Sequence, residues 1–239
     1  MTDTPSAVPP DSAPSGAAPP HAAPAQLNLL ILGAGAGIGA CATRAALARG
    51  HAVRALSRDP SRIDAEDARL DRVPGDARDP AVLDAAVEGM DAVLYCIGTP
   101  GDARGPLGKR VTLHSEATRA LLPILAAKGP RRLIAVTGYG AGDSRQAMSR
   151  VERAAHRLLL GRPYADKDRQ EAMIRASDLD WTLVRPVILR NAPGRGDYRV
   201  LTDASAWRNG LISREDAADY LVRRAEDGGD LRLTPVIAW

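Results

Sequence analysis

Phenylalanine is absent from the 239 residues, and lysine occurs only at Lys109, Lys128 and Lys167. Arginine carries the basic charge at the other positions. The three lysines are therefore exceptions in this chain and are of more interest as functional candidates. The formal net charge is +3, with a pI of about 9.1, and the basic residues form no dense run. The sequence therefore does not indicate a nucleic-acid partner.

Cysteines and long apolar runs are also scarce. Cys41 and Cys96 fall in a predicted helix and a predicted strand, where each is expected to be a small buried side chain rather than half of a disulfide or a metal ligand. No metal site is therefore expected. No apolar run approaches the length of about 20 residues that spans a bilayer, so no membrane partner is expected.

Residues 1–26 lack large apolar side chains almost completely and consist mainly of Pro, Ala, Ser and Gly. Such a segment buries too little surface to offset its ordering entropy, and we expect a disordered tail. It has neither the basic start nor the apolar centre of a secretory signal, and we expect a cytoplasmic protein. Residues 27–239 are then expected to form one domain, with an ordinary globular balance of apolar and charged residues.

The most informative stretch follows this tail. The aliphatic run Leu29–Leu32 ends in Gly33-Ala-Gly-Ala-Gly-Ile-Gly39, and a helix is predicted over Ala40–Arg49. The glycines fit both G-x-x-x-G-x-G and G-x-G-x-x-A. A buried strand, a tight turn and a helix N-terminus in this order bring backbone N–H groups and the positive helix end to a pyrophosphate. Methyltransferases bind a nucleoside cofactor with similar glycines, so the glycines alone leave that alternative open.

Strands and helices alternate along the rest of the chain, which predicts an α/β fold with a Rossmann-type doubly wound parallel sheet. The six strands are predicted at Leu29–Leu32, His51–Leu56, Leu70–Val73, Asp91–Ile97, Arg132–Val136 and Trp181–Arg185.

Ligands of such sheets bind outside the carboxyl ends of the strands, and the chemically informative residues of this chain concentrate there. The predicted cofactor-binding residues are Gly33, Gly35, Ala36, Gly37, Ile38, Ser57, Arg58, Asp76, Ala77, Cys96, Ile97, Gly98, Thr137, Lys167 and Pro186.

Several further elements are expected between and after these strands. Pro123 should bend a helix over Lys109–Lys128 or cost it a hydrogen bond, and the Gly/Pro-rich loop before it, as far as Gly108, should be mobile. The region Ser144–Ala176 should be helical but broken at Gly161-Arg-Pro163. A helix capped by Ser213 and a final strand over Leu231–Ile237 complete the last third, which is expected to form a small substrate lid.

The end of the second strand predicts which nicotinamide cofactor is preferred. NAD-binding sites commonly have Asp or Glu here to accept from the adenosine ribose, whereas this chain has Ser57-Arg58, with Arg62 nearby. A guanidinium binds a 2′-phosphate through a bidentate fork, so NADP(H) is expected to be preferred over NAD(H). Asp59 is a competing partner for Arg58, and a solvated pair of surface arginines is the structural alternative.

These motifs together resemble the atypical short-chain dehydrogenase/reductases, in the NAD(P)H-binding group with NmrA-like proteins and biliverdin reductase B-like flavin reductases. The resemblance rests on the glycine turn, Leu56-Ser-Arg-Asp59, Gly75-Asp76, Ile97-Gly-Thr99 and Asp180-Trp-Thr-Leu-Val-Arg-Pro186, and Ser213–Asp219 also matches. It covers nearly all of the chain except the tail. It implies a Rossmann fold and a nicotinamide cofactor, and makes a methyltransferase much less favoured.

The chain departs from the family at the proton-donating set. Typical members have Tyr-x-x-x-Lys, but Tyr164 and Lys167 are one residue closer together, and Gly138 stands where a Ser is often found. The candidate catalytic residues are therefore Lys167 as the main cation, Tyr164 and Tyr139 as donors or stacking platforms, and Thr137. His114 and His156 are assigned no role.

Two functions fit these observations. The first is an NADPH-dependent oxidoreductase that transfers hydride to a small-molecule acceptor (a flavin, quinone or carbonyl). The second is a non-catalytic NADP(H)-binding redox sensor of the NmrA-like type, which the incomplete donor set favours. A monomer or a homodimer is expected in either case.

Overall fold

The computed structural model describes residues 26–99 and 111–239 of the chain. Most of the predicted tail and residues 100–108 of the predicted mobile loop lie outside these ranges. The strands are β1 Asn28–Leu32, β2 Ala52–Ser57, β3 Leu70–Pro74, β4 Ala92–Tyr95, β5 Arg132–Val136, β6 Asp180–Pro186, β7 Ile188–Arg190, β8 Arg199–Leu201, β9 Leu211–Ser213 and β10 Val236–Ala238. The α-helices are α1 Gly37–Ala48, α2 Pro80–Ala86, α3 Leu113–Lys128, α4 Arg150–Arg175 and α5 Arg214–Asp227.

Eight strands form one sheet in the order β3-β2-β1-β4-β5-β6-β10-β8, and only β8 runs antiparallel to its neighbour. Alternate residues of each strand face opposite layers. Leu29 and Ile31 belong to the core under α1 and α5, whereas Leu30 and Leu32 belong to the core under α2 and α3. The sheet is therefore buried on both faces, which is why its strands are nearly continuous apolar runs. This architecture confirms the predicted Rossmann-type fold.

The predicted break in the fourth helix is wrong, because α4 continues from Arg150 to Arg175 through Pro163. Proline lacks the N–H that would bond the carbonyl of Leu159. Leu159 is 53% exposed, so the helix borders solvent at this turn, and a solvated helix turn tolerates the loss of one hydrogen bond better than a buried one. A capping box, in which Ser149 and Glu152 bond each other's backbone N–H, starts the helix.

The end of the chain also differs from the prediction. The expected strand Leu231–Ile237 is reduced to β10, because Asp230 and Arg232 have positive φ angles of 55° and 56° that an extended strand does not allow. A separate two-stranded sheet of β7 and β9 was not predicted. Ser213 does cap α5, as expected, by accepting from the N–H of Asp216 at 2.9 Å.

The α3 helix contains Pro123, as expected, and its described part begins at Leu113. The α2 helix is capped by Asp79, whose Oδ1 accepts from the N–H of Ala81. Across residues 26–99 and 111–239 there is no helix with the length and apolar character that crossing a membrane requires.

A buried ion pair connects the carboxyl end of the sheet to α4. Arg185 of β6 is fully buried and donates to both carboxylate oxygens of Glu171 on α4, at 3.0 and 2.6 Å. The Oγ1 of Thr137 donates to the same carboxylate at 2.7 Å. Asp143 lies 2.6 Å from the Arg185 Nη1, at ion-pair distance but without hydrogen-bond geometry. Trp207 covers the guanidinium, with its ring centroid 5.1 Å from Cζ.

We expect Glu171→Ala to lower the free energy of unfolding by about 3–5 kcal/mol, because it leaves a buried guanidinium without its bidentate partner. Urea denaturation measures this loss. The matched control is Asp84→Ala, which removes the exposed partner of Lys128 and should cost less than about 1 kcal/mol. Equal losses in the two variants would contradict a structural role for the buried pair.

Candidate functional site

The corner between β1 and α1 is pressed against its neighbouring strands. The N–H groups of Gly33 and Ala34 both donate to the carbonyl of Leu56, at 3.0 and 3.2 Å. Gly33 has a φ of +85°, and a Cβ there would lie 2.9 Å from the Cα of Ile97. Only glycine fits this position without moving the end of β4.

The N-terminus of α1 is open to a ligand. Its N-cap residue, Ala36, makes no side-chain hydrogen bond, and the first turn contains no acidic residue. The first N–H groups of a helix have no partner within the helix, and the helix dipole makes this end positive. These are the properties of an anion-binding site.

A cavity of about 830 Å³ runs from this corner along the carboxyl ends of the strands. That volume suits a ligand of cofactor size. All of the residues predicted for the cofactor and for catalysis line it: Gly33, Gly35, Ala36, Gly37, Ile38, Ser57, Arg58, Asp76, Ala77, Cys96, Ile97, Gly98, Thr137, Tyr139, Tyr164, Lys167 and Pro186. The structure thus brings the predicted set to one place, and what each residue does there stays a prediction.

At the end of β2, the competition between Asp59 and Arg58 is resolved. The Asp59 carboxylate accepts from the N–H and the hydroxyl of Ser61, at 3.2 and 2.5 Å, and caps a short 3₁₀ turn. Within the described ranges, the exposed Arg58 guanidinium makes no hydrogen bond or ion pair. Arg62 lines the same end of the cavity.

At the end of β3, the Asp76 carboxylate is fixed by its neighbour. Arg78 donates to it from Nε and Nη2, at 3.0 and 2.6 Å, and these hydrogen bonds lower the Asp76 pKa to about 2. Asp76 therefore remains ionised at the cavity wall, but both of its oxygens already accept from Arg78.

The residues that follow β4 form a largely buried part of the cavity wall. Cys96 is 6% exposed, and burial raises the pKa of its thiol to about 12, so it is a packing residue and not a nucleophile. Thr99 Oγ1 lies 3.2 Å from Nε2 of His114, whose pKa burial lowers to about 3. His114 is thus a neutral partner of the loop that begins after β4.

At the end of β5, the buried Lys167 donates a hydrogen bond to a backbone carbonyl. Lys167 is 7% exposed, and its Nζ donates to the carbonyl of Thr137. Its Nζ also lies 5.7 Å from the centre of the Tyr164 ring. Thr137 uses its hydroxyl to bond Glu171, so the buried ion pair and the lysine hold the same residue from two sides.

Tyr164 occupies the space that a side chain at position 138 would need. A Cβ built on Gly138 would lie 2.5 Å from the Tyr164 hydroxyl oxygen and 3.2 Å from Cζ. The glycine that replaces the usual serine therefore makes room for a hydroxyl from α4. The structure brings the phenol, the lysine and the Thr137–Gly138 peptide together, although the sequence spacing differs from the family pattern.

Sequence reasoning missed His156. Its ring meets the Tyr164 ring edge to face, with centroids 4.2 Å apart, and it lines the cavity. Burial, followed by the charge of Arg145, lowers the His156 pKa, so the ring is neutral near pH 7. Residues 156, 164 and 167 are spaced by about two and three helical turns, a signal that the assumed helix break concealed.

The remaining wall, beyond Tyr164, combines apolar and polar side chains that sequence reasoning did not select. Most come from α4 and from the segments around β7 and β9, and they include Met148, Glu152, Ala155, Leu159, Leu160, Val187, Ile188, Leu189 and Asn209. In sequence they are far apart, and only the fold places them on one surface.

Solved structures with the same fold include two with informative descriptions. ChuY of Escherichia coli O157:H7, an anaerobilin reductase, is 24% identical with a TM-score of 0.72, over 88% of this chain and 96% of ChuY. A short-chain dehydrogenase/reductase of Veillonella parvula, solved with NADP, is 19% identical with a TM-score of 0.69, over 89% of this chain and 94% of that chain. At these identities the likeness establishes the fold alone.

Sequence comparison adds a relative and a family. YhfK of Bacillus subtilis, described as an uncharacterized sugar epimerase, is 26% identical over 179 residues, which are 74% of this chain and 77% of YhfK. A family profile described as NAD(P)H-binding matches residues 33–227, from the glycine corner to the end of α5. This match confirms the family indicated by the sequence motifs: the chain belongs to the NAD(P)H-binding family.

Proposed function

We propose that the chain is an NADPH-dependent oxidoreductase that transfers hydride to a small acceptor, in the class of flavins, quinones or carbonyls. The observation that carries this proposal is the meeting of Lys167, Tyr164 and the end of β5 in the cavity that begins at the glycine corner. The description of ChuY as a reductase is consistent with it.

The cofactor is proposed to lie along the strand ends. Its pyrophosphate would lie at the open N-terminus of α1, and its adenosine would lie between Arg58 and Asp76. The nicotinamide would then reach the region of Thr137 and Lys167. When bound, the reduced nicotinamide supplies the hydride, and the protein supplies placement and charge.

Lys167 and Tyr164 are proposed as the catalytic pair. The Lys167 ammonium can donate to ribose hydroxyls, and its charge stabilises negative charge that develops nearby. The Tyr164 hydroxyl can give a proton to the reduced acceptor, with the neutral His156 against its ring. Tyr139, 5% exposed, is proposed as a wall residue, and burial raises its pKa.

The C-terminal third is proposed as the substrate lid of a single domain over residues 27–239. Val187, Ile188, Leu189 and Asn209 line the cavity from this side. An apolar wall of this kind favours an acceptor with a flat or aliphatic surface over a strongly hydrated one.

The alternative is a non-catalytic NADP(H) sensor. It is favoured by the missing serine at Gly138, because a sensor needs cofactor binding without a complete proton-donating set. The buried position of Lys167 favours the enzyme, since burying an ammonium is costly and a sensor would not need one beside the cofactor.

The first prediction from the proposed function concerns the preference for NADPH over NADH and the role of Arg58. Arg58→Ala should weaken NADPH binding about 10- to 100-fold and leave NADH binding nearly unchanged, because a charge-assisted hydrogen bond contributes about 1.5–3 kcal/mol. The dissociation constants are measured by titrating nucleotide fluorescence. Arg208→Ala, an exposed arginine that does not line the cavity, is the control. An unchanged ratio of NADPH to NADH affinity would remove the assignment of Arg58.

Turnover separates the enzyme from the sensor. We expect steady NADPH oxidation with at least one acceptor in a panel of flavins, quinones and aldehydes, and a fall in kcat of about 100-fold or more in Lys167→Ala. Lys128→Ala removes an exposed lysine and should leave kcat unchanged. Tight NADPH binding without turnover on any acceptor would instead support the sensor.

Gly138→Ala tests the placement of the Tyr164 hydroxyl. The new methyl group would displace that hydroxyl and would also strain a backbone whose φ is +153°, so kcat should fall about 100- to 10,000-fold, as for loss of a general acid, while NADPH affinity stays within a few-fold. Tyr164→Phe should give a similar loss without any clash. Gly89→Ala is the control, since Gly89 also has a positive φ, at +73°, its Cβ would meet nothing within 4 Å, and it does not line the cavity. Full activity in Tyr164→Phe would show that the hydroxyl does not donate the proton.

A further inference from the structure

Arg214 lies next to the open N-terminus of α1, although it is 177 positions after Gly37 in the chain. It is the first residue of α5, which packs against α1, and it lines the cofactor cavity. A Cβ built on Gly37 would be 4.0 Å from the Arg214 Nε, the nearest atom outside its chain neighbours and the backbone of its own helix. The two helix starts thus bring a guanidinium and unbonded N–H groups to one wall.

The guanidinium is held by a neutral group and not by a carboxylate. Its Nη1 donates to Oδ1 of Asn191 at 2.6 Å, and within the described ranges it forms no ion pair. The adjacent Glu215 accepts instead from the N–H of Gly194, at 2.8 Å. Most of the partly buried arginines in the described part of the chain have carboxylate partners, for example Arg54 and Arg69. The positive charge of Arg214 is therefore left for a ligand.

The position of Arg214 is set before any ligand binds. Asn191 begins a loop whose N–H groups at Arg195 and Gly196 donate to the buried carboxylate of Asp216, at 2.9 Å each. Burial alone would raise the pKa of Asp216, but the N–H of Gly196 and the indole of Trp239 lower it, so this anchor stays ionised. A side chain already held in place loses less conformational entropy when it binds.

We propose that Arg214 binds the pyrophosphate of the cofactor, together with the N-terminus of α1. The pyrophosphate carries two negative charges, which match a guanidinium fork and a helix N-terminus on the same wall. The proposal rests on the cofactor placement described above and not on the identity of the acceptor. It assigns the two arginines to different phosphates: Arg58 to the 2′-phosphate of NADPH, and Arg214 to the pyrophosphate that NADPH and NADH share.

Three nucleotides distinguish these two assignments. Arg214→Gln should weaken NADPH and NADH by about tenfold each and leave 2′-AMP unchanged, because 2′-AMP has no pyrophosphate. Arg58→Gln should weaken NADPH and 2′-AMP and leave NADH unchanged. Titration calorimetry on the full chain measures all three, and Arg208→Gln is the control for the lost charge. Thermal unfolding checks that each variant is folded, and Arg214→Lys should retain part of the affinity if folding is affected in Arg214→Gln.

The outcomes are separable. If the unaltered chain binds none of the three nucleotides, the proposed function fails, and this proposal fails with it. If the unaltered chain binds NADPH and NADH but Arg214→Gln matches Arg208→Gln, only the assignment of Arg214 is overturned. Equal weakening of 2′-AMP in Arg214→Gln would also overturn it, since the guanidinium would then act on the wrong phosphate.

Discussion

Arg185 is fully buried, and its bidentate pair with Glu171 determines how the carboxyl end of the sheet meets α4. A buried ion pair contributes little net stability compared with apolar residues of the same volume, because desolvating both charges is costly. The pair instead determines geometry, because the guanidinium can donate to both carboxylate oxygens in only one position of α4 relative to β6. Thr137 donates to the same carboxylate, so the end of β5 is aligned by this contact too.

The α4 helix, held in position by Glu171, carries three of the side chains that line the candidate site. Glu171 and Lys167 are one turn apart, and Tyr164 and His156 precede them on the side of the helix that faces the cavity. Pro163 lies among them without breaking the helix, and Leu159, whose carbonyl loses its usual partner, is 53% exposed. A helix held at Glu171 therefore presents a cation, a phenol and an imidazole at fixed spacing.

The contact between Gly138 and Tyr164 explains how the site departs from the family pattern. A serine at position 138 would need the volume that the phenol hydroxyl fills. The two departures from the family pattern, Gly138 and the shortened Tyr-to-Lys spacing, therefore meet at one contact in the structure. In the sequence they stand 26 residues apart and give no sign of this contact.

The sequence by itself determined the parallel sheet, the glycine corner and the strand ends at which a nicotinamide nucleotide is expected. These depend on apolar runs, glycine conformations and helix starts, all of which are local properties. It also determined Ser213 as a helix cap, for the same reason.

Only the tertiary structure decided which distant side chains meet: Arg185 with Glu171, Tyr164 with Gly138, and Arg214 with the start of α1. Each contact depends on how one element is rotated and shifted against another, and no local pattern contains that information. The same reason applies to α4 and β10. Local preferences predicted a helix break at Pro163 and an extended strand from Leu231, but α4 continues through the proline, and Asp230 and Arg232 have positive φ angles.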